Sequence, residues 1–146
     1  MVKMNIFKNF KIPRKYFNSI ILIGNFDGLH LGHQKLFRKA REFKKKYKNK
    51  IGVITFNPIP KMFFNKNIKN FKLMNMNQKI EQFKKQNVDF LINQKFSKKF
   101  SRIKANSFID NYLNKKIKTK FLFVSNNFKF GNKRVEPHNL FILLFR

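Results

Sequence analysis

Residues 19–33 read SIILIGNFDGLHLGH, and this stretch decides the fold. Ile20–Ile23 is apolar without alternation, the pattern of a strand buried on both faces. Gly24 ends the run, and Asn25, Asp27 and Gly28 supply a turn. His30 and His33 follow, separated by Leu31 and Gly32. The residues after His33 have the periodicity of a helix. A buried strand, a glycine turn and a helix start make an anion site, because the first N–H groups of a helix have no partner within it. The two imidazoles add donors at the same place. The alternative is a structural turn with incidental histidines. Two of the chain's 3 histidines within four positions argue against it.

Working outward, a helix is expected over residues 32–47. Leu36, Phe37, Ala40 and Phe43 supply its apolar stripe, with Tyr47 one turn on, and Lys and Arg cover the other face. Residues 51–56 read as a second strand, stopped by Asn57-Pro58-Ile59-Pro60. Residues 61–75 are ambiguous between packing and loop. A helix over 77–86, a strand over 88–92, a basic loop over 97–101, a helix over 105–113 and a strand over Phe121–Val124 complete the alternation. Residues 1–16 give no element. Residues 140–145 fit either an edge strand or one side of a helix. Alternating strands and helices predict an α/β fold, with a mostly parallel sheet and helices on both faces. Ligands of such sheets sit beyond the carboxyl ends of the strands. Gly24, Asn57-Pro58 and Ser125-Asn126-Asn127 all fall at such ends.

The 146-residue chain is long enough for one domain with a single core, and without cysteine it has neither a disulfide framework nor a thiolate metal site. No leader and no membrane-spanning run is legible, which predicts a cytoplasmic protein. The formal charge of +28, from 34 Lys+Arg against 6 Asp+Glu, draws in anions. The lysines lie on nearly every segment, alongside abundant Asn, Ile and Phe. That composition fits drift of a gene toward A and T as well as it fits a selected basic surface. Nucleotides, nucleic acid and an anionic surface are all drawn by such a field, and dedicated nucleic-acid binding is not expected.

The glycine spacing excludes a GxxxxGK[ST] phosphate loop and the GxGxxG dinucleotide fingerprint. HxGH suits another task. Gly32 lets the backbone approach a ligand, while His30 and His33 both reach it. Two imidazoles without cysteine make a poor zinc site, so no protein-held metal is expected. Donation to phosphate oxygens is the natural use. Nucleotidyl transfer is mainly positioning and charge stabilisation and needs no nucleophilic side chain.

GNFDGLHLGHQ, from Gly24 to Gln34, resembles the signature of the bacterial bifunctional riboflavin kinase/FAD synthetase family, in its FMN adenylyltransferase domain. That domain is of the Rossmann-like HxGH nucleotidyltransferase type. Four further segments follow in order: GVITFNPIPKMFF from Gly52, KLMNMNQKIEQFKKQNVDFLI from Lys72, KFSKKFSRIKANSFIDNYL from Lys95 and VSNNFKFG from Val124. They resemble the family's TFxPHP, L…L…K…L…GVD, FxxxFAxLSxxEFI and VGxxFRFG stretches. The resemblance implies that ATP and FMN give FAD and diphosphate, with magnesium. It also implies that His30 and His33 stabilise the ATP phosphates. Gly24, Asn25, Phe26, Asp27 and Gly32 would form the nucleotide loop, and Pro58 and Pro60 the proline loop. Asn127, Phe128 and Phe130 would line the flavin side. Adenylyl or cytidylyl transfer to another phosphate acceptor is the rival reading. A non-catalytic binding remnant is another.

The sequence departs from the family pattern at Asn57, Ile59 and Ser125, which stand in place of an acidic residue, a histidine and a glycine. No segment after Arg134 resembles the family's ISSTxxR stretch or its riboflavin kinase domain. The expected organisation is a basic lead-in over 1–18, an FMN adenylyltransferase-like domain over 19–134 and a divergent apolar tail over 135–146. A missing last strand, weakened ATP binding and no riboflavin kinase activity are expected with it.

Overall fold

The computed structural model describes residues 3–29, 31–65, 74–125 and 141–144. Its strands are β1 (Asn5–Phe7), β2 (Ile20–Ile23), β3 (Ile51–Asn57), β4 (Phe90–Lys95), β5 (Phe121–Val124) and β6 (Phe141–Leu144). Its helices are α1 (Leu31–Tyr47), α2 (Pro60–Phe64), α3 (Met76–Lys85), α4 (Lys98–Ser101) and α5 (Ala105–Ser107). α5 runs on into a π-helical segment, Phe108–Lys116, and a 3-10 turn covers Arg14–Tyr16. The strands form one six-stranded sheet in the order β1-β4-β3-β2-β5-β6. β1 to β5 pair in parallel, and β6 pairs antiparallel with β5.

Every residue of β2 is buried, as is every residue of β5. Their side chains alternate between two cores, one on each side of the sheet. Ile20, Leu22, Val53, Leu91, Phe121 and Phe123 meet α1 and α3 through Leu36, Phe37, Ala40 and Phe83. Ile21, Ile23, Ile54, Ile92, Leu122 and Val124 meet the π-helical segment through Phe108 and Leu113. The expected stripe of α1 holds along most of its length, with Phe43 edge-on to Phe121 at 4.9 Å and to Phe123 at 5.2 Å.

The two faces follow from the chain's route. From β2 the chain moves outward to β3 and β4, with α1 and α3 on one face. It then returns past β2 to β5, with its helical segments on the other face. Right-handed crossovers require that change of face when the direction along the sheet reverses. The reversal makes the gap between β2 and β5 a switch point, where ligands of open α/β sheets bind.

Parts of the chain add to the sequence reading. The lead-in contains β1, an edge strand of three residues beside β4. The basic loop contains α4, started by Ser97, whose hydroxyl accepts the Phe100 N–H at 3.1 Å. The tail is a strand, one of the two forms the sequence left open, and it pairs antiparallel with the outer edge of β5.

Candidate active site

Gly24 follows β2 and Ser125 follows β5, and the two meet at the switch point. The Gly24 N–H donates to Ile54 O at 3.3 Å, and the Ser125 N–H donates to Ile23 O at 3.0 Å. A Cβ on Gly24 would stand 2.6 Å from Ser125 Oγ and 3.1 Å from the Phe26 ring. Only glycine fits there.

The loop beyond Gly24 turns sharply. Phe26, Gly28 and Leu29 take positive φ values of 50°, 80° and 39°. Non-glycine residues hold such a conformation only where their surroundings over-determine it. Phe26 meets that condition. Its ring is fully buried against His33 at 5.1 Å, Phe37 at 5.1 Å and Phe83 at 6.0 Å. His33 lies in the first turn of α1, buried, with its ring set across Phe26. Gly32 precedes it, exposed at the start of the helix. Gln34 ties the loop to the helix by donating to Leu29 O at 3.2 Å.

α3 braces the same loop from the side. The Met74 N–H donates to Asp27 Oδ1 at 2.8 Å. Lys79 Nζ donates to Asn25 O at 2.8 Å, and the Lys79 side chain is only 4% exposed. The Asn25 side-chain oxygen is buried without a hydrogen-bond partner among the described residues, an arrangement that suits a ligand donor. Beside Lys79 lies a cavity of about 80 Å³ at the carboxyl ends of β3 and β4, lined by Thr55, Asn57, Ile59 and Asn93 among others. Pro58 and Pro60 flank Ile59 at its edge. Pro60 opens α2, where its missing N–H costs nothing, and the Ile59 carbonyl accepts the Met62 and Phe63 N–H groups at 3.0 and 3.1 Å.

The structure thus gathers Gly24, Asn25, Phe26, Asp27, Gly32 and His33 around one turn, with Pro58 and Pro60 at the neighbouring strand end. His30, Asn127, Phe128 and Phe130 lie outside the described residues. Lys79 is absent from the sequence-based site. A signal for it was present: it shares the apolar stripe of α3 with Met76 and Phe83, at spacings of three and four. Among the described residues no group of three or more His, Cys, Asp or Glu is placed to hold a metal. No helix among them is long and apolar enough to cross a membrane.

The FAD synthetase family model matches residues 13–142 of this chain. The chain belongs to the FAD synthetase family. The match takes in the histidine loop, every described parallel strand after β1, and the tail as far as β6. Relatives described as bifunctional riboflavin kinase/FMN adenylyltransferase include one from Buchnera aphidicola subsp. Acyrthosiphon pisum, 40% identical over 84% of this chain. Another, from Haemophilus influenzae, is 36% identical over 78% of this chain. The one from Escherichia coli strain K12 is 31% identical over 79%. The matches cover only 39%, 37% and 37% of those relatives' lengths. A solved structure, described as a macrolide-efflux protein from Streptococcus pneumoniae, is similar in fold. Its TM-score is 0.73 at 27% identity, over 93% of this chain and 45% of that one. The FAD synthetase family thus accounts for a parallel sheet whose glycine loop, helix start and switch point coincide.

Proposed function

We propose that this chain transfers the adenylyl group of ATP to FMN, giving FAD and diphosphate, at the loop between β2 and α1. One observation carries the reading: in a chain of the FAD synthetase family, Leu31, Gly32 and His33 open a helix at the switch point of the sheet. An oxygen of the FMN phosphate attacks the α-phosphorus of ATP. The bond from that phosphorus to the bridging oxygen of the β-phosphate breaks, and diphosphate leaves. His33 donates to the phosphate oxygens as their charge shifts, and the same task is assigned to His30. The N–H groups at the start of α1 and the approach allowed by Gly32 add to the same cradle. The turn from Gly24 to Asp27 holds the nucleotide side, and Asn25 offers its side-chain amide. Pro58 and Pro60 shape the neighbouring rim, and Asn127, Phe128 and Phe130 take the flavin side.

The donor set fits magnesium carried on the substrate, not an all-protein cage. Asp27 is the loop's carboxylate, and its Oδ1 already accepts the Met74 N–H. Magnesium commonly binds through substrate phosphates and one or two carboxylates. When bound, it would neutralise charge on the diphosphate leaving group. A cytoplasmic site suits both nucleotide substrates.

The test is an acceptor panel. The purified chain is incubated with ATP, magnesium and FMN, nicotinate mononucleotide or phosphopantetheine in turn. Product is expected with FMN. Product only with another acceptor would overturn the choice of flavin.

A further inference from the structure

A lysine that is 4% exposed is costly to keep inside a protein unless its ammonium group does something specific. The surface of this chain already carries abundant lysine, so charge alone does not call for a buried one. Lys79 sits one turn into α3 and reaches across to the glycine loop. Its Nζ bonds to the carbonyl of Asn25, the residue that follows Gly24. Five positions earlier, the Met74 N–H holds Asp27 Oδ1. The loop is therefore pinned to the α3 region at two points on either side of Phe26. Between them Phe26 sits in a left-handed conformation with its ring edge-on to Phe83 of the same helix.

We propose that Lys79 is a positioning residue for nucleotidyl transfer. Its bond to the Asn25 carbonyl holds the turn from Asn25 to Leu29, and with it the histidine-bearing start of α1, in the shape that receives the ATP phosphates. The assignment rests on the adenylyl-transfer reading above. α3 does not need Lys79 to start. Its N-terminus has its own capping box, with Gln78 N–H to Asn75 Oδ1 and Asn75 N–H to Gln78 Oε1, each 2.9 Å. Loss of the lysine should therefore release the loop and leave the helix start intact. An apolar side chain of similar length fills the space but leaves the Asn25 carbonyl without its donor. An arginine keeps a donor, and the cavity beside Lys79 gives it room.

The test compares Lys79→Met and Lys79→Arg with the wild-type chain and with Lys84→Met, which alters an exposed lysine of the same helix. Two readouts are taken: steady-state FAD formation and amide hydrogen exchange. In Lys79→Met, kcat should fall about tenfold or more while KM for ATP moves less, since a misplaced loop weakens transition-state contacts most. The Met74 amide, which reports the bond to Asp27, should exchange about tenfold faster. The Gln78 amide and the Asp89 amide, which donates to Ile51 O, should keep their protection. Lys79→Arg should restore most of both readouts, and Lys84→Met should change neither. Unchanged kcat and unchanged Met74 exchange in Lys79→Met would overturn the proposal. So would loss of protection at Gln78 and Asp89 in both Lys79 variants, which would make the lysine a general folding residue. A wild-type chain that forms no FAD would instead reject the functional reading, while Met74 exchange would still decide whether Lys79 holds the loop.

Discussion

At the residue scale, the site has no room for a side chain at Gly24 beside Ser125. A methyl group at residue 24 collides with the Ser125 side chain, which is itself buried. Gly24→Ala should destabilise the fold by about 1–3 kcal/mol, the usual cost of overpacking, read from urea unfolding. Adding Ser125→Gly removes the nearer obstacle and should recover part of that loss, leaving only the Phe26 contact. A double-mutant cycle without coupling would mean that the strain lies elsewhere. His33 carries the chemical prediction. His33→Ala should lower turnover about 10²-fold or more, the scale of losing one transition-state donor, with a smaller change in KM. Unchanged turnover would move the chemistry away from α1. The glycine turn and the helix start at His33 were legible in the sequence because their residue types are few and their spacing is fixed. Lys79 was not among the site residues read from the sequence, because lysines stand on nearly every segment, and its place on the apolar stripe between Met76 and Phe83 is the signal that sets it apart.

At the element scale, the buried strands announce themselves by continuous apolar runs, and α1 by its stripe. β1 does not, because Asn5–Phe7 is short and its burial is only partial. Its place is fixed by tertiary contacts: Phe7 meets Phe90 edge-on at 6.3 Å, and Asn5 bonds to the Tyr16 hydroxyl. α2 was hidden because the proline turn before it reads as a stop, whereas Pro60 is the first residue of the helix. The tail was undecided because an apolar run of six fits a strand or a buried helical face equally. Pairing with β5 settles it. β3 offers the sharpest test at this scale. Gly52 is in register with Phe90 of β4, and a Cβ there would come within 2.2 Å of the Phe90 ring. That ring is packed by Tyr16 at 4.7 Å and Phe7 at 6.3 Å, which limits its freedom to move. Gly52→Ala should therefore cost about 1–3 kcal/mol or more by the same overpacking mechanism. A thermal midpoint equal to that of the wild type would show that the ring can swing clear.

At the scale of the whole molecule, the sheet order explains why the glycine turn and the start of α1 lie together. The reversal falls between β2 and β5, and the loop after β2 leads through the glycine turn to the start of α1. The formal charge of +28 gives the chain a field that favours phosphates of every kind. Attraction by that field alone would be general and would fade as salt rises. The recognition proposed above, by a loop and a helix start, would be local and less sensitive to screening. The measurement that separates them is FAD formation from ATP, FMN and magnesium by the purified chain, followed at low and at near-physiological salt. The account predicts FAD and diphosphate in equal amounts, with turnover that persists at the higher salt. Binding of ATP and FMN with no FAD at either salt, or affinity only for long polyanions that collapses with salt, would contradict it.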